Sequence, residues 1–303
     1  MFDVVTFGSA VVDIFVDTDV AEKKGNMCYP TGSKILLKNM RFDVGGGGTN
    51  TAVAFSRLGL KTGWISKIGD DLNGQSILNL MKKENVRFLG KIQKNHISGH
   101  SIILDSRENN RTILTYKGIN DYLGIQDIKL NKIVTKWIYY SSSLGKTFET
   151  QKKIASILKK SRVKIAFNPS EYLIRRKNLT SLLKLIDVLI LNKEEAEMLT
   201  KSKGDKNIIE KLHRLIDKKG IVVITDKNRK IQAFDGVKKY SLRPNKIRVV
   251  ERTGAGDAFA SGFVAGQIVG KSILESLKLG LKEGEFVIRH FGAKNNLIKM
   301  RLK

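Results

Sequence analysis

The sequence predicts an α/β fold, in which helices pack around a largely parallel sheet that carries a small β-sheet lid. Short apolar runs alternate with amphipathic stretches along most of the 303 residues, which is typical of βα units around a parallel sheet. Two stretches break this rhythm and alternate in period two, as strands with one exposed face do. The 41% hydrophobic content is enough for a large core.

The predicted elements follow one another along the chain. Each core strand is predicted at a short apolar run, and each helix at an amphipathic stretch. The predicted core strands cover residues 4–7, 62–68, 137–140, 164–167, 188–191 and 222–225. The predicted helices cover residues 50–58, 74–84, 150–160, 194–199, 207–218, 257–269 and 273–290. This order of elements is that of an α/β protein.

The two period-two stretches predict the lid, which is formed by about residues 14–43 and 97–117. Its strands are predicted at residues 14–17 with 33–43 and at 98–105 with 111–116. The segment Ser-Arg-Glu-Asn-Asn at residues 106–110 suggests a hairpin turn. Because no repeat, low-complexity tract or long linker interrupts the chain, we expect a single domain over residues 1–303.

The composition argues against several classes of protein. The single cysteine, Cys28, excludes an internal disulfide framework and a thiolate metal cluster. No apolar run approaches the roughly 20 residues of a membrane span, and no basic leader precedes the first strand, so we expect a cytoplasmic protein without a membrane partner. The net charge of +26 would attract polyanions. Since the basic residues are scattered through nearly every segment, we expect no specific nucleic-acid partner, although the charge alone leaves that alternative open.

The segment Thr-Gly-Ala-Gly-Asp at residues 253–257 predicts an anion site at the start of a helix. A loop with few side chains that runs into a helix points several backbone N–H groups at one spot, where the helix dipole favours an anion. Asp257 falls in the first turn of that helix. An anion cradle beside a proton acceptor is what phosphoryl transfer to an alcohol requires. The alternative is a glycine-rich turn capped by an ordinary aspartate.

A second glycine-rich segment, Gly-Gly-Gly-Gly-Thr-Asn at residues 45–50, precedes another predicted helix. Its backbone can approach a ligand closely, and Asn50 offers both a donor and an acceptor to a hydroxylated molecule. The alternative is a flexible connector between lid and body. Asp13 lies where the chain leaves the core for the lid. A carboxylate there can accept two sugar hydroxyls, although it can also be a turn or cap residue.

Three segments together resemble the ribokinase-like (PfkB) family of carbohydrate kinases. They are the block at residues 45–50 with Ile-Gly-Asp-Asp-x-x-Gly at 68–74, the pair Asn192 and Glu195, and Gly-Ala-Gly-Asp at 254–257. Their order and spacing span nearly the whole chain. The resemblance implies a doubly wound sheet, a lid over the acceptor, and ATP-dependent phosphorylation of a hydroxyl on a sugar or sugar-like molecule.

The resemblance implies a role for each matching residue of the catalytic and acceptor sites. Asp257 matches the catalytic base, and the matching anion hole is Gly254, Ala255 and Gly256. The matching acceptor-binding positions are Asp13, Gly46 and Asn50, and Gly47 lies among them. Arg111, just after the lid turn, is expected to close over the acceptor or a phosphate, with a solvated lid arginine as the alternative.

The resemblance also implies a site for ATP and Mg²⁺ at the carboxyl edge of the sheet. Asn192 and Glu195 match the motif that, through water, helps to place Mg²⁺ on the phosphates. The alternative for this pair is a solvated helix start. The positions expected near the nucleotide are Asn192, Thr225, Lys227, Lys230, Gly254, Gly256 and Glu283.

Two departures from the family pattern concern ions and phosphates. Glu251 and Arg252 stand where the family usually has Asp-Thr, so a site for a monovalent cation stays uncertain. Lys227 and Lys230 replace two glycines of the usual Thr-x-Gly-x-x-Gly, which here covers residues 225–230. These lysines either obstruct close approach of the backbone or meet the ATP phosphates as point charges.

Two further departures concern the adenine and the acceptor. Glu283 occupies a position where an asparagine often lies against the adenine. Val11 and Gly47 replace the asparagine and lysine of true ribokinases, which weakens ribose as the specific acceptor. A nucleoside kinase of the adenosine type is therefore one alternative, and a catalytically weak binding or regulatory member of the family is another. Because exposed apolar lid strands commonly pair between subunits, a homodimer through the lid is also expected.

Overall fold

The computed structural model of the protein describes residues 1–108, 110–227 and 229–302. Asn109 of the predicted lid turn and Asn228 of the predicted nucleotide segment lie outside the described residues, as does Lys303. The strands are β1 (Phe2–Phe7), β2 (Val11–Asp17), β3 (Glu22–Lys23), β4 (Asn26–Met27), β5 (Asn39–Gly45), β6 (Thr62–Ile65), β7 (Lys67–Gly69), β8 (Arg87–Phe88), β9 (Lys91–Gln93), β10 (Gly99–Asp105), β11 (Arg111–Tyr116), β12 (Thr135–Ser141), β13 (Lys164–Asn168), β14 (Val188–Asn192), β15 (Ile221–Asp226), β16 (Lys230–Phe234) and β17 (Lys239–Leu242).

The helices surround these strands and include short ones that the sequence did not predict. The α-helices are α1 (Gly47–Arg57), α2 (Leu72–Lys83), α3 (Gly145–Lys160), α4 (Glu171–Arg176), α5 (Thr180–Leu183), α6 (Lys193–Thr200), α7 (Ile208–His213), α8 (Ala255–Ile268) and α9 (Ile273–Val287). Short 3₁₀ helices cover Gly118–Tyr122, Ile125–Asp127 and Leu130–Lys132. None of the helices that the structure describes is long and apolar enough to cross a membrane.

The larger sheet confirms the predicted fold class. Over the described ranges it has nine strands in the order β17-β16-β15-β14-β13-β12-β1-β6-β8. The strands from β8 to β15 are parallel, and β16 and β17 continue the sheet as an antiparallel edge. Successive residues of one strand enter opposite cores, since Val222 and Ile224 pack with α3 and α7 while Val223 packs with α1 and α8. A parallel sheet needs both faces covered in this way.

A separate small sheet is formed by β11, β10, β2 and β5, in that order, among the described residues. Strand β2 runs antiparallel to β5 and parallel to β10, and β10 and β11 form the predicted hairpin. The strand predicted at residues 33–43 begins only at Asn39. Its partner β2 ends at Asp17, and Asp19 has a φ of 53°, which turns the chain away, so the residues before Asn39 lack a neighbouring strand.

Other boundaries also differ from the prediction. The stretch at 62–68 forms two strands, β6 and β7, which belong to different sheets. The helices predicted to end at residues 218 and 290 end at His213 and Val287. In both cases the chain continues in tighter turns whose N–H groups bond three residues back, as from Leu215 to Leu212 and from His290 to Val287. The turn after α7 still contributes to the core, since Ile216 is buried among the core residues.

Candidate active site

A cavity of about 330 Å³ lies between the small sheet and the carboxyl ends of the strands of the larger sheet. Strands β2, β10 and β11 supply one wall, which is lined by Val11, Asp13, Phe15, Ser101, Ile103, Ile113 and Thr115. The opposite wall comes from the ends of β12 and β13 and the starts of α1, α6 and α8, and includes Gly47, Ser141, Glu195 and Asp257. The carboxyl edge of an open α/β sheet is where ligands bind in such folds.

The start of α8 leaves backbone donors beside this cavity, as the sequence predicted. Gly254 caps the helix with a φ of 78°, a left-handed conformation that favours glycine. The N–H of Ala255 bonds to the carbonyl of Arg252, and the first intrahelical bond runs from Ala258 to Gly254. Helix geometry therefore leaves the N–H groups of Gly256 and Asp257 without an intrahelical acceptor. A Cβ added to Gly256 would meet nothing within 4 Å, so a phosphoryl group has room to approach.

The carboxylate of Asp257 is held on one side and open on the other. Asn50 Nδ2 donates a hydrogen bond of 2.8 Å to Asp257 Oδ2. Asp257 Oδ1 faces Gly47, where an added Cβ would lie 3.6 Å away. Burial raises the pKa of Asp257, while the Asn50 hydrogen bond and the charge of Lys294 oppose this shift. The net shift makes the carboxylate a better proton acceptor than a solvated aspartate, and its free oxygen points into the cavity.

Asp13 and the glycine-rich loop meet at the other end of the cavity. Burial raises the pKa of Asp13, against the charge of Lys294 and a hydrogen bond with Ser101. A Cβ on Gly45 would lie 1.9 Å from Asp13 Oδ2, so the loop and the carboxylate can meet only because this residue is glycine. Gly46 has a φ of 98°, and a side chain there would strike the carbonyl of Ser9. The glycine run is thus fitted to its surroundings and is not a flexible connector.

Gly47 and Ser141 form the floor of the cavity. A Cβ on Gly47 would lie 2.9 Å from Ser141 Cβ, so a longer side chain at position 47 would collide with Ser141. Among the described residues, the buried hydroxyls of Ser141 and Ser170 have no hydrogen-bonding partner. Both serines line the cavity. Buried polar groups are normally satisfied, so these hydroxyls fit a hydroxylated ligand.

Asn192 and Glu195 form a reciprocal cap at the start of α6. Asn192 Oδ1 accepts the Glu195 N–H at 2.8 Å, and Glu195 Oε2 accepts the Asn192 N–H at 2.9 Å. Burial raises the pKa of Glu195 to about 7. Over the residues that the structure describes, no group of three or more His, Cys, Asp or Glu side chains could hold a metal ion. The half-buried carboxylate of Glu195, which lines the cavity beside the start of α6, fits Mg²⁺ that keeps most of its waters and contacts phosphates.

A comparison with models of protein families shows which family this chain belongs to. The model of the pfkB family carbohydrate kinases matches residues 1–300. The chain belongs to the pfkB family. It is accordingly a phosphotransferase that uses an alcohol group as acceptor, and its family uses ATP.

Similar proteins are kinases of sugars or nucleosides. A cytidine kinase of Thermococcus kodakarensis is 26% identical over 301 residues, which are 96% of this chain and 98% of that protein. The adenosine kinase structure from Sinorhizobium meliloti has a TM-score of 0.85 at 22% identity and covers 98% of this chain and 97% of its own. A structure of Arabidopsis thaliana ribokinase complexed with ribose and ATP has a TM-score of 0.83 at 22% identity and covers 98% and 96% of the two chains. At these identities the solved structures show the fold alone.

In this pfkB family protein, Arg111 reaches a carboxylate outside the cavity lining. Arg111 Nη1 donates to Glu251 Oε1 at 2.6 Å and to Thr253 Oγ1 at 3.0 Å. Glu251 is 3% exposed, and its Oε2 accepts the Gly292 N–H at 3.0 Å. Burial would raise the pKa of Glu251, but the hydrogen bonds from Thr253, Gly292 and Arg111 lower it below its usual value. Arg111 therefore links β11 of the small sheet to the segment that precedes α8.

The residues expected at the nucleotide are partly brought together. Asn192 and Thr225 are neighbours across β14 and β15. Lys227 has a φ of 45°, a left-handed conformation that explains why this pfkB position usually holds glycine. Lys227 Nζ forms an ion pair with the exposed Glu194 at 2.8 Å, so Lys227 lies at the same edge of the sheet as Asn192. Lys230 is exposed at the start of β16.

Glu283 is not brought to the cavity. Its side chain is fully buried between α8 and α9, and its Oε2 accepts the Ile298 N–H at 3.4 Å. Burial raises the pKa of Glu283 to about 7. In this conformation Glu283 exposes no atom to an adenine, so a contact with the nucleotide would need a rearrangement of the helices.

Sequence reasoning missed the segment after α9, where three consecutive residues reach three parts of the site. Gly292 donates to Glu251, and Ala293 packs on Gly254, where an added Cβ would lie 2.5 Å from Ala293 Cβ. Lys294 Nζ donates to Asn50 Oδ1 at 2.6 Å and to the Val44 carbonyl. No pattern in the sequence marks Lys294, because the chain has 55 lysines and arginines.

Proposed function

We propose that this protein transfers the γ-phosphoryl group of ATP to a hydroxyl of a sugar or sugar-like acceptor. The observation that carries the proposal is the open Oδ1 of Asp257, which faces the cavity at the start of α8 beside free backbone N–H groups. A proton acceptor and an anion cradle at one point are what in-line transfer to an alcohol needs.

The acceptor is bound between Asp13 and the glycine-rich loop, with the hydroxyls of Ser141 and Ser170 as further partners. Asp257 Oδ1 orients the attacking hydroxyl and takes its proton late, because the transition state of phosphoryl transfer is loose. The N–H groups of Gly256 and Asp257 stabilise the negative charge of the transferring group. Bound Mg²⁺ supplies positive charge to the phosphates, and Asn192 and Glu195 would hold it through water.

A nucleoside is the second candidate for the acceptor. The small residues Gly47 and Ser141 leave the floor of the cavity open where a ribokinase has a lysine. Phe15 lines the same cavity and offers a ring face or edge to a base. The named cytidine and adenosine kinases among similar proteins support this candidate.

The test is release of ADP from ATP and Mg²⁺ in the presence of pentoses, hexoses, ketohexose phosphates, sugar acids and nucleosides. We expect at least one acceptor to raise turnover well above that of Asp257→Asn. Loss of a positioned proton acceptor typically costs about 10²- to 10⁴-fold in rate. If no acceptor raises turnover of the wild-type protein above that of Asp257→Asn, the proposed function is wrong.

A further inference from the structure

Lys294 is a buried cation that the mechanism above does not use. It is 3% exposed, and its Nζ lies against Asn50 Oδ1 at 2.6 Å and the Val44 carbonyl. Lysine is almost never fully buried unless its ammonium group is paired or hydrogen-bonded. Burial lowers the pKa of Lys294, while Asp43, Asp13 and Asp257 favour its charged form. The ammonium group of Lys294, which is costly to bury, is thus hydrogen-bonded to Asn50, and Asn50 is hydrogen-bonded to Asp257.

We propose that Lys294 is a positioning residue that fixes the orientation of the Asn50 side chain and, through it, the carboxylate of Asp257. The two ends of an asparagine amide have nearly the same shape, so its orientation is decided by its neighbours. The ammonium group of lysine only donates hydrogen bonds. The ionised carboxylate of Asp257 only accepts them, so both neighbours favour the same orientation, with Oδ1 of Asn50 towards Lys294 and Nδ2 towards Asp257. Lys294 supplies the donor on the side of Oδ1 and so completes this arrangement.

Reversal of the Asn50 amide would change the position of the Asp257 carboxylate. It would place Asn50 Oδ1 against Asp257 Oδ2, where Nδ2 now lies at 2.8 Å. Two oxygens that both accept hydrogen bonds repel each other at that distance, so Asp257 would turn away from its present position. A shift of about 1 Å in a reacting group can cost about 10²-fold in rate. Lys294 thus acts on the chemical step without touching the acceptor.

The backbone around Lys294 is anchored well enough to hold this orientation. Arg57 Nη1 donates to the Lys294 carbonyl at 2.5 Å, and Arg57 is itself bound to Glu84 through two hydrogen bonds of 2.9 and 2.6 Å. One residue earlier, Ala293 packs on Gly254 of the anion hole. The ammonium group, the amide and the start of α8 therefore belong to one packed unit.

The first test replaces Lys294 by methionine, which has a similar length and no donor. The inference rests on the proposed function, so kcat is measured with the best acceptor of the panel. We expect Lys294→Met to lower kcat by about 10²-fold, with a change of less than about threefold in the KM of the acceptor. The matched control is Lys67→Met, since Lys67 is 7% exposed and bonds Asp127 Oδ2 at 3.0 Å. The control should lose stability but keep its kcat.

A double-mutant cycle tests whether Lys294 acts through Asn50. In an Asn50→Ala background, the further change Lys294→Met should lower kcat by less than about twofold, because the amide that it orients is gone. Independent, multiplying losses in the double variant would contradict the inference. So would an unchanged kcat in Lys294→Met.

A second measurement does not depend on turnover. With ¹⁵N-labelled asparagine, the side-chain NH₂ signal of Asn50 is identified by its loss in Asn50→Ala. We expect Lys294→Met to shift or broaden this signal and Lys67→Met to leave it unchanged. An unchanged signal in Lys294→Met overturns the inference even if no acceptor is found, whereas failure of every acceptor overturns the proposed function alone. If Lys294→Met does not fold, Lys294→Gln serves in the same tests, since glutamine both donates and accepts and so cannot fix the amide.

Discussion

At the scale of single residues, burial of the Glu195 carboxyl group lowers folding stability at neutral pH, and the same group is expected to help place Mg²⁺. Burial raises the pKa of Glu195 from 4.5 to about 7, so its carboxyl group binds a proton more tightly in the folded than in the unfolded chain. Folding stability is therefore lost as the pH rises from about 4.5 to about 7. A bound cation would reverse this shift, because an opposite charge favours the ionised form.

We expect Glu195→Gln to raise the melting temperature at pH 8 by more than at pH 5, measured without Mg²⁺. Glutamine can still accept the N–H of Asn192, so the helix cap is kept. The same variant should need more Mg²⁺ for half-maximal activity. Glu194→Gln is the control, since Glu194 is exposed and pairs with Lys227. Equal changes of melting temperature at the two pH values would contradict the assignment.

Gly47 is the residue that sets the depth of the cavity floor. An added Cβ would lie 2.9 Å from Ser141 Cβ and 3.6 Å from Asp257 Oδ1. We expect Gly47→Ala to raise the KM of the acceptor by about tenfold, or about 1.4 kcal/mol of binding free energy, because the added methyl group displaces Ser141 at the cavity floor. The double variant with Ser141→Gly should recover most of this loss. A KM that Gly47→Ala leaves unchanged would show that the acceptor binds elsewhere.

Residues that belong to a recognisable sequence motif could be predicted, whereas the buried residues that hydrogen-bond to them could not. Asp257, Asp13 and Gly47 line one cavity, as their motifs predicted. Arg111 was predicted near the acceptor, yet its guanidinium is bound to Glu251. A buried partner such as Glu251 or Lys294 is recognisable only when the fold brings distant segments together, since neither stands in a pattern of its own.

At the scale of elements, the ion pair of Arg111 and Glu251 joins β11 to the segment before α8. Removal of one partner of a buried pair leaves the other charge uncompensated. We expect Arg111→Gln to lower the free energy of unfolding by about 1–3 kcal/mol, because Glu251 is buried and Arg111 is 33% exposed. Arg111→Gln with Glu251→Gln should recover part of the loss in a denaturant titration.

The control for this pair is Arg107→Gln, since Arg107 lies on the same hairpin and its pair with Asp19 is exposed. Exposed pairs contribute little, typically below about 1 kcal/mol. Because the guanidinium already neutralises Glu251, we also expect added K⁺ to leave wild-type turnover unchanged. Equal losses in Arg107→Gln and Arg111→Gln would contradict a special role for the pair.

Helices and strands could be predicted where their apolar residues form a clear periodic pattern or a continuous run. Long helices with a repeated apolar stripe were found within a few residues, as α2 and α9 show. The helix α5 covers only Thr180–Leu183, which is too short to show a helical period. Strands β16 and β17 form an edge of the sheet, and their partly exposed residues lack the apolar run of a central strand.

At the scale of the whole molecule, the small sheet presents an exposed apolar surface. The exposed residues on the face that points away from the cavity include Met40, Phe42, Leu114 and Tyr116. We expect a homodimer through this sheet, measured by sizing chromatography with light scattering. Phe42→Glu should shift it to a monomer, because a charge cannot be buried there without a partner. Val237→Glu, at a site that is 93% exposed in another part of the chain, should not. A monomeric wild-type protein would contradict this expectation.

The whole fold explains why residues as distant as Asp13 and Asp257 form one site. Both line the cavity between the two sheets, Asp13 from β2 of the small sheet and Asp257 from the start of α8 at the carboxyl edge of the larger sheet, where ligands bind in such folds. The lysines and arginines behind the net charge of +26 are scattered along the whole chain and are not gathered at this site. The predicted class of reaction follows from topology and motif.

The central claim is that Asp257 is the base of a phosphoryl transfer to an alcohol. Its most direct test compares single-turnover transfer from ATP to the best acceptor in wild-type protein and in Asp257→Asn, with nucleotide affinity measured in parallel. We predict that the substitution slows transfer by about 10²- to 10⁴-fold and changes nucleotide affinity little. Transfer at the wild-type rate in Asp257→Asn would contradict the claim.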